Sequence, residues 1–460
     1  MVTSFKAKIL RLPPELREQE EKRLEILLSS RKTDIEHREE LGAVGEAGEL
    51  SFGNATFPIY KEPPRLWQPK LLPMKGGMYA DLVFVDSQGT IFHPDPEHPT
   101  AVSPDLEDER TKRIIEESKQ KAEEYFKGVK RRVPDFDEHW RITGYHMAKL
   151  EEIAETLNLQ LDNHRGVLIL QGEAGTGKNV LVDMLANLSN REVIPILCNE
   201  NSVKEDLTYE FYYDPEKGTY KLPSKLVEGI QKPGTIILFD EINALKPGIA
   251  KMLNSLFDYR RRIYLPEGGR EKELITDPSV LFVGTMNPQN YAGVNRLSPE
   301  VKSRARVVDI EYPPFEEVGG RTQYQSNEAE MLAAYMDNLE GLKQKEFRLC
   351  WDYVVNRDTT NGADIILQGN PQMETDIRRV YDVIRVANRL REMYGAYQTG
   401  DSNEPMDFPT SLREVIDIAL EMNHRQGLKG IMKRVIVPKI DDRRQKRLVE
   451  QTIDAVMPNE

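Results

Sequence analysis

The chain has 460 residues, 39% hydrophobic and 30% charged, with 63 Lys+Arg against 76 Asp+Glu and a net charge of −13. That length holds roughly two to four domains with sizeable cores, and the acidic balance excludes a protein that coats nucleic acid through a broad cationic surface. Cys198 and Cys350, the two cysteines, are too few and too far apart for a disulfide framework or a Cys-based zinc site.

No apolar run approaches the ~20 residues of a membrane helix, and Met1-Val2-Thr3-Ser4-Phe5-Lys6 lacks the apolar core of a secretory signal. A cytoplasmic protein without membrane insertion is expected. Residues 14–31 predict a charged helix with Leu16, Leu24, Leu27 and Leu28 on its apolar side. The Gly/Pro-rich stretch that follows holds one clear strand, 81–85. There Asp86-Ser87-Gln88-Gly89 is a turn before Thr90-Ile91-Phe92, so a hairpin is predicted. His93 and His98 flank two carboxylates, but Pro94, Pro96 and the adjoining Pro99 stiffen the run, and a polar turn fits better than a metal site. Residues 106–127 predict a surface helix with Ile114, Ile115, Ala122 and Phe126 at helical spacing. Val133-Pro134-Asp135 breaks the pattern and marks a boundary, so residues 1–135 are expected to form a mixed α/β N-terminal domain.

From 136 to 315, short and nearly uninterrupted apolar strands alternate with helices, at 167–170, 193–197, 235–239, 280–284 and 307–310. Such runs predict an α/β domain with a parallel sheet covered on both faces. Pro195 puts the second strand near a sheet edge, where a missing N–H is tolerated. Residues 316–460 read as all-α. Ile377, Val380, Tyr381, Ile384, Ala387 and Leu390 make one apolar stripe, and Ser411 with Glu414 forms a capping box that opens a helix towards Gln426.

The strongest chemical signal is Gly172-Glu173-Ala174-Gly175-Thr176-Gly177-Lys178-Asn179-Val180, set between the strand at 167–170 and a helix over 180–188. In that context the glycines let backbone N–H groups wrap a phosphate, the helix N-terminus adds its dipole, and Lys178 reaches the β- and γ-phosphates. Gly45-Glu46-Ala47-Gly48 looks similar but lacks the lysine and the preceding strand, and reads as a loop. Asn179 stands where Ser or Thr normally offers Mg²⁺ a hydroxyl. Its neutral carbonyl oxygen can still ligate, directly or through water; weaker metal binding or an inactive nucleotide scaffold are the two consequences open. The second signal is the strand at 235–239 ending in Asp240 and Glu241. Asp240 suits a metal-side ligand near the phosphates, and Glu241 is placed to take a proton from an attacking water. Asn287, at the end of the strand at 280–284, can hold that water.

Further runs are Glu205-Asp206-Leu207, Thr285-Met286-Asn287-Pro288, Leu297-Ser298-Pro299-Glu300-Val301-Lys302-Ser303-Arg304, Asp309-Ile310-Glu311-Tyr312-Pro313 and Thr410-Ser411-Leu412-Arg413. In this order the motifs resemble those of AAA+ ATPases of the MoxR-like, dynein-related branch, with the NorQ and CbbQ proteins nearest in pattern. The resemblance implies a P-loop sheet domain over 136–315 and a helical lid domain over 316–460, preceded by an atypical N-terminal region. It makes Asn287 the first sensor, Arg304 the finger that acts on a neighbouring subunit's nucleotide, and Arg413 the second sensor from the lid. The usual Arg-Phe is Arg304-Ala305-Arg306 here, so Arg306 competes for the finger role. A cation on the first turn of a helix opposes the dipole unless an anion is bound, which favours Arg413. Arg378 and Arg379 are rival candidates that a solvated helix face explains.

Residues 209–220 read as a hairpin where this branch carries a pore-facing insertion; its aromatics either grip a protein segment or stack on one another. Arg260-Arg261-Arg262 through Arg270 predicts a second hairpin, better explained as a salt-bridged rim than as a nucleic-acid contact. The implied activity is hydrolysis of ATP with Mg²⁺ by a homo-oligomeric ring, most often a hexamer, that remodels or activates a client protein. In similar families the client docks through a von Willebrand factor A partner, and residues 1–135 are the candidate recognition region. One rival is a McrB-like nucleic-acid motor, opposed by Met286-Asn287-Pro288 in place of Met-Asn-Thr and by the acidic balance. Another is a nucleotide-gated scaffold with weak hydrolysis, motivated by Asn179 and Ala305.

Overall fold

The computed structural model describes residues 49–60, 67–74, 78–86, 91–95, 98–105, 107–128, 133–135, 140–214, 218–265, 273–288, 297–315, 324–360, 362–368, 370–425 and 427–457. The helix predicted at 14–31, the loop at 45–48 and Arg270 lie outside them.

The first elements are two antiparallel strands, β1 (Glu49–Phe52) and β2 (Ala55–Pro58), with Phe52 opposite Ala55. A second antiparallel set follows, β3 (Trp67–Pro73), β4 (Ala80–Asp86), β5 (Ile91–Phe92) and β6 (Ala101–Val102), in which β4 pairs with the other three. The predicted hairpin is β4–β5, with Val85 opposite Ile91. β3 escapes pattern reading because Pro69 and Pro73 cannot donate to a ladder and mark an edge strand. Helix α1 (Glu109–Gly128) closes this small body by burying Ala122 against Leu82, Phe84 and Val102.

The hairpin β1–β2 packs elsewhere. Its apolar face is too large for two strands to bury alone. Leu50, Phe52, Phe57 and Ile59 instead share a core with Trp140 and helix α2 (Gly144–Asn163). The Arg191 guanidinium lies over the rings of Phe57 and Tyr60, 5.5 Å from each centroid, and Tyr60 N donates to Ser189 O at 2.8 Å. The division expected at residue 135 is crossed by this packing: residues 49–60 fold onto the α/β unit that follows.

That unit is built on five parallel strands: β7 (Val167–Gln171), β8 (Glu192–Leu197), β11 (Thr235–Asp240), β14 (Leu281–Met286) and β15 (Ala305–Asp309). Their order across the sheet is β15-β7-β14-β11-β8, so Pro195 lies on an edge strand as its missing N–H requires. Successive side chains of a strand leave on opposite faces. Leu168 and Leu170 enter one core with Leu181 and Leu185 of α3 (Lys178–Leu188), while Val167 and Ile169 enter another with Phe239, Phe257 and Phe282. The three central strands, β7, β14 and β11, are buried on both faces, as their unbroken Val/Ile/Leu runs demand, while Leu197 and Val307 on the edge strands are exposed. The unit also contains two hairpins, β9 (Tyr209–Asp214) with β10 (Gly218–Pro223), and β12 (Arg262–Tyr264) with β13 (Glu273–Ile275).

The C-terminal region is helical: α4 (Asn327–Ala333), α5 (Gln344–Val354), α6 (Pro371–Thr399), α7 (Leu412–Met422), α8 (Leu428–Ile436) and α9 (Arg443–Val456). The predicted stripe of α6 faces its core, with Ile377, Val380, Ile384, Ala387 and Leu390 buried and Tyr381 half-buried. Arg141, fully buried, fastens this region to the sheet domain by donating from Nη2 to the carbonyls of Glu340 at 3.0 Å and Leu342 at 3.3 Å. Among the described residues no helix is long and apolar enough to cross a membrane.

Candidate active site

β7 leaves the sheet at Gln171, and the next six residues turn back to the start of α3. Gly175 (φ +76°) and Gly177 (φ +90°) hold left-handed backbone that glycine alone adopts cheaply. Any Cβ at Gly172 would stand 2.0 Å from the Ile310 carbonyl oxygen, so the loop can hug β15 only with glycine there. Thr176 is buried and donates from Oγ1 to Glu173 O at 3.0 Å, closing the turn. No side chain caps α3, and its first N–H groups are aimed into the loop. Such a terminus binds anions.

Lys178 is 8% exposed, and its Nζ donates to Gly172 O and Glu173 O at 2.7 Å and to Asn287 Oδ1 at 3.2 Å. Burial pushes its ammonium from 10.5 down to about 8, against the pull of Glu173, Asp240 and Glu241. Its close partners are neutral oxygens, so an arriving anion would find a desolvated cation.

Asp240 closes β11. Thr285 on the neighbouring β14 donates from Oγ1 to Asp240 Oδ1 at 2.6 Å and accepts from Glu241 N at 3.1 Å. Asn179 Nδ2 donates to the same Asp240 oxygen at 3.3 Å. Glu241 has φ +56°, a costly conformation for a residue with a Cβ, which turns its carboxylate back over the strand ends. Asn287 Nδ2 donates to Glu241 Oε1 at 3.1 Å, and Asn243 Nδ2 fixes the Asn287 carbonyl at 3.1 Å. Lys178, Asp240, Glu241 and Asn287 therefore converge beyond the carboxyl ends of β7, β11 and β14, where open α/β sheets bind ligands. The sequence signals Thr285 only as a polar side chain in an otherwise apolar buried strand.

Residues 167–305 match the family model described as an AAA domain of the dynein-related subfamily. The chain carries a dynein-related AAA domain. The match runs from the first residue of β7 to the first residue of β15 and includes the glycine loop, Lys178, Asn179, Asp240, Glu241, Asn243, Thr285 and Asn287. Relatives include the uncharacterized protein YojN of Bacillus subtilis (strain 168), 23% identical over 325 residues, 70% of this chain and 88% of that protein. Protein CbbQ of Hydrogenophilus thermoluteolus is 27% identical over 146 residues, 32% of this chain and 53% of that protein. Midasin of Dictyostelium discoideum is 24% identical over 204 residues, 44% of this chain but 3% of that protein. The chain thus spans about half of CbbQ and a small fraction of midasin.

In this AAA domain Arg304 lies apart from the loop. It precedes β15, whose Ala305 is level with Val167 while Asp309 is level with Gln171. A five-residue strand separates Arg304 from its own phosphate loop by roughly 16 Å. Its Nη1 donates to Glu300 O at 2.6 Å and to Ser303 Oγ at 3.3 Å. With Arg165, Arg306, Asp258 and Tyr259 it lines an open cleft of about 630 Å³ at the opposite rim of the sheet. Arg413 is on the loop side, exposed on the first turn of α7, and its charge helps to depress Lys178. The capping box forms: Ser411 N donates to Glu414 Oε2 at 2.8 Å, and Arg413 N to Ser411 Oγ at 3.2 Å. Val180 packs its side chain against the core and does not face the loop.

Other candidates around the AAA domain are accounted for by local pairing. Arg378 pairs with Glu374 at 2.8 Å, and Arg379 with Asp376 and with Arg425 O, both at 3.3 Å. Arg260 pairs with Asp258 at 2.5 Å and Arg262 with Glu273 at 2.7 Å, while Arg261 is buried against the Phe282 ring at 4.8 Å. The predicted hairpin at 209–220 is β9–β10, with Tyr212 level with Tyr220. His93 Nδ1 lies 3.5 Å from Asp81, and His98 N donates to Asp95 Oδ1 at 3.1 Å, the hydrogen bonding of a turn. Among the described residues no three or more His, Cys, Asp or Glu gather as a metal site. Asp240 with Asn179 fits a cation that takes most of its ligands from phosphate and water, as Mg²⁺ does.

Proposed function

We propose that the protein hydrolyses ATP to ADP and phosphate, as a cytoplasmic homo-oligomeric ring that remodels or activates a client protein. The observation that carries this reading is Asn287, which bonds Lys178 through one atom of its amide and Glu241 through the other. Lys178 exchanges the Gly172 and Glu173 carbonyls for phosphate oxygens, and the glycine loop and the α3 terminus hold the phosphate chain. Glu241 takes the proton of the attacking water while Asn287 positions that water. Mg²⁺, when held by Asp240 and Asn179, neutralises charge on the phosphate oxygens.

Arg304 sits too far from its own loop to help it, which supports a finger acting on the next subunit and hence a ring, of which a hexamer is the expected size. The three-part division belongs to the same reading, with 136–315 binding nucleotide, 316–460 as its lid, and residues 1–135, apart from β1–β2, recognising a client or a von Willebrand factor A partner. The pairing of Arg260 and Arg262 with carboxylates speaks against a McrB-like nucleic-acid motor.

Steady-state hydrolysis of ATP with Mg²⁺ by the wild type and by Glu241→Gln, over a range of protein concentration, tests this reading. Wild-type turnover that rises more than linearly with concentration, and its loss in the variant, are expected. Equal silence of both with ATP bound, candidate clients present, would replace it with the nucleotide-gated scaffold that Asn179 suggests.

A further inference from the structure

Tyr312 and Arg391 connect the phosphate loop to the lid through an unbroken series of contacts. Tyr312 Oη donates to Ala174 O, inside the loop, at 3.0 Å. The Arg391 guanidinium lies over the Tyr312 ring, 3.9 Å from its centroid. Arg391 is buried on α6, where Nη1 and Nη2 each bond a Glu328 carboxylate oxygen at 2.8 Å and Nε donates to Thr410 O at 2.7 Å. Thr410 directly precedes Ser411, the N-cap of the helix that carries Arg413. Each nitrogen of the guanidinium fork is thereby committed, and the fork is planar and rigid. A buried ion pair contributes little net stability over an apolar pair of similar volume, so its value here is orientation: it fixes the guanidinium plane against the tyrosine ring. The loop and lid also meet at Gly175, where a Cβ would come within 2.4 Å of Ser411 Cβ. The start of α7 therefore has no slack towards the loop.

We propose that Tyr312 and Arg391 are positioning residues that transmit the arrangement of the phosphate loop to the start of α7, and so set where Arg413 stands over bound nucleotide. The inference rests on the nucleotide-hydrolysis reading but concerns residues to which that reading gives no part in binding phosphate or activating water. When phosphate draws Lys178 off the Gly172 and Glu173 carbonyls, the loop peptides adjust, and the Ala174 carbonyl carries that adjustment to Tyr312. The ring moves the guanidinium, and the guanidinium moves Thr410.

The test uses the full chain with ATP or ADP and Mg²⁺. Nucleotide affinity, kcat and amide exchange over 412–422 are read for the wild type, Tyr312→Phe and Arg391→Lys. Tyr312→Phe keeps the ring and removes one hydrogen bond; Arg391→Lys keeps the charge beside Glu328 and removes the fork. Expected in both is ADP affinity within about threefold of wild type, kcat lowered about tenfold, and loss of the ATP-induced protection of 412–422. Wild-type kcat and protection in Tyr312→Phe would overturn the proposal. So would weakened protection already without nucleotide, together with a lowered melting temperature, since that marks a structural role only. A wild type that hydrolyses ATP with no response over 412–422 overturns this joint and spares the hydrolase. A wild type that gains protection with ATP yet never turns over upholds the joint and removes the hydrolase.

Discussion

Asn287 bridges Lys178 and Glu241, at 3.2 Å from one and 3.1 Å from the other. The side chain that accepts from the proposed phosphate-binding cation also donates to the prospective base. Replacing it with alanine removes both restraints without touching the glycine loop. Asn287→Ala is expected to lower kcat on the order of 10²-fold while KM for ATP stays within about threefold, the signature of an interaction made chiefly in the transition state. Steady-state kinetics check this; a change confined to KM would assign Asn287 to binding.

Lys178 gives a pH dependence. Its folded pKa, about 8, lies below the ordinary 10.5 because burial disfavours the charged form. Above pH 8 the free site has lost its proton, and binding a phosphate must recover it from solvent. Affinity for ADP should therefore fall with rising pH from about 8 upward, by at most about tenfold per unit. Lys178→Arg, charged throughout, should flatten the profile in a direct binding titration. Without nucleotide the linkage runs the other way. The unfolded chain binds more protons between pH 8 and 10.5, so this group makes the fold more stable as pH rises through that window.

The separation of Arg304 from its own loop predicts complementation. Arg304→Ala and Glu241→Gln should each abolish hydrolysis alone. Mixed, they should regain activity at interfaces where an intact Glu241 meets a neighbour's intact Arg304, about a quarter of sites in random rings. Absence of recovery, with mixed assembly verified by mass, would mean that Arg304 does not act between subunits. The parallel mixture with Arg306→Ala distinguishes the two arginines.

Asn179 bonds Asp240 through its amide nitrogen at 3.3 Å, so one prospective metal ligand occupies another. Asn179→Thr supplies the hydroxyl usual at this place. The Mg²⁺ concentration for half-maximal hydrolysis should drop on the order of tenfold, measured by Mg²⁺ titration at saturating ATP. An unchanged titration would show that the asparagine oxygen serves the metal equally well.

Docking of β1–β2 predicts a stability effect far from the loop. Phe57 is fully buried beneath Arg191, in the core shared with α2 and α3. Phe57→Ala should destabilise the AAA domain by about 3–5 kcal/mol. Leu82→Ala, in the separate small core under α1, should leave the nucleotide-protected transition unchanged. Denaturant unfolding with and without ADP distinguishes these cases.

What the sequence determined by itself is chemistry held in one contiguous stretch. The glycine loop, Lys178 and the start of α3 follow a single strand without a break, and Asp240 with Glu241 ends another. Their local backbone demands and apolar runs suffice to name the element each belongs to. The edge position of β8 was legible for the same reason, since Pro195 removes a donor wherever the strand lies. The tertiary structure alone decided the contacts between distant segments: Thr285 on Asp240, Tyr312 on Ala174, Arg391 between Glu328 and Thr410, and Phe57 under Arg191. None of these leaves a periodicity or a turn signal. Each exists because the sheet order brings strands together out of sequence and because a buried polar group must find its partner wherever the packing puts one.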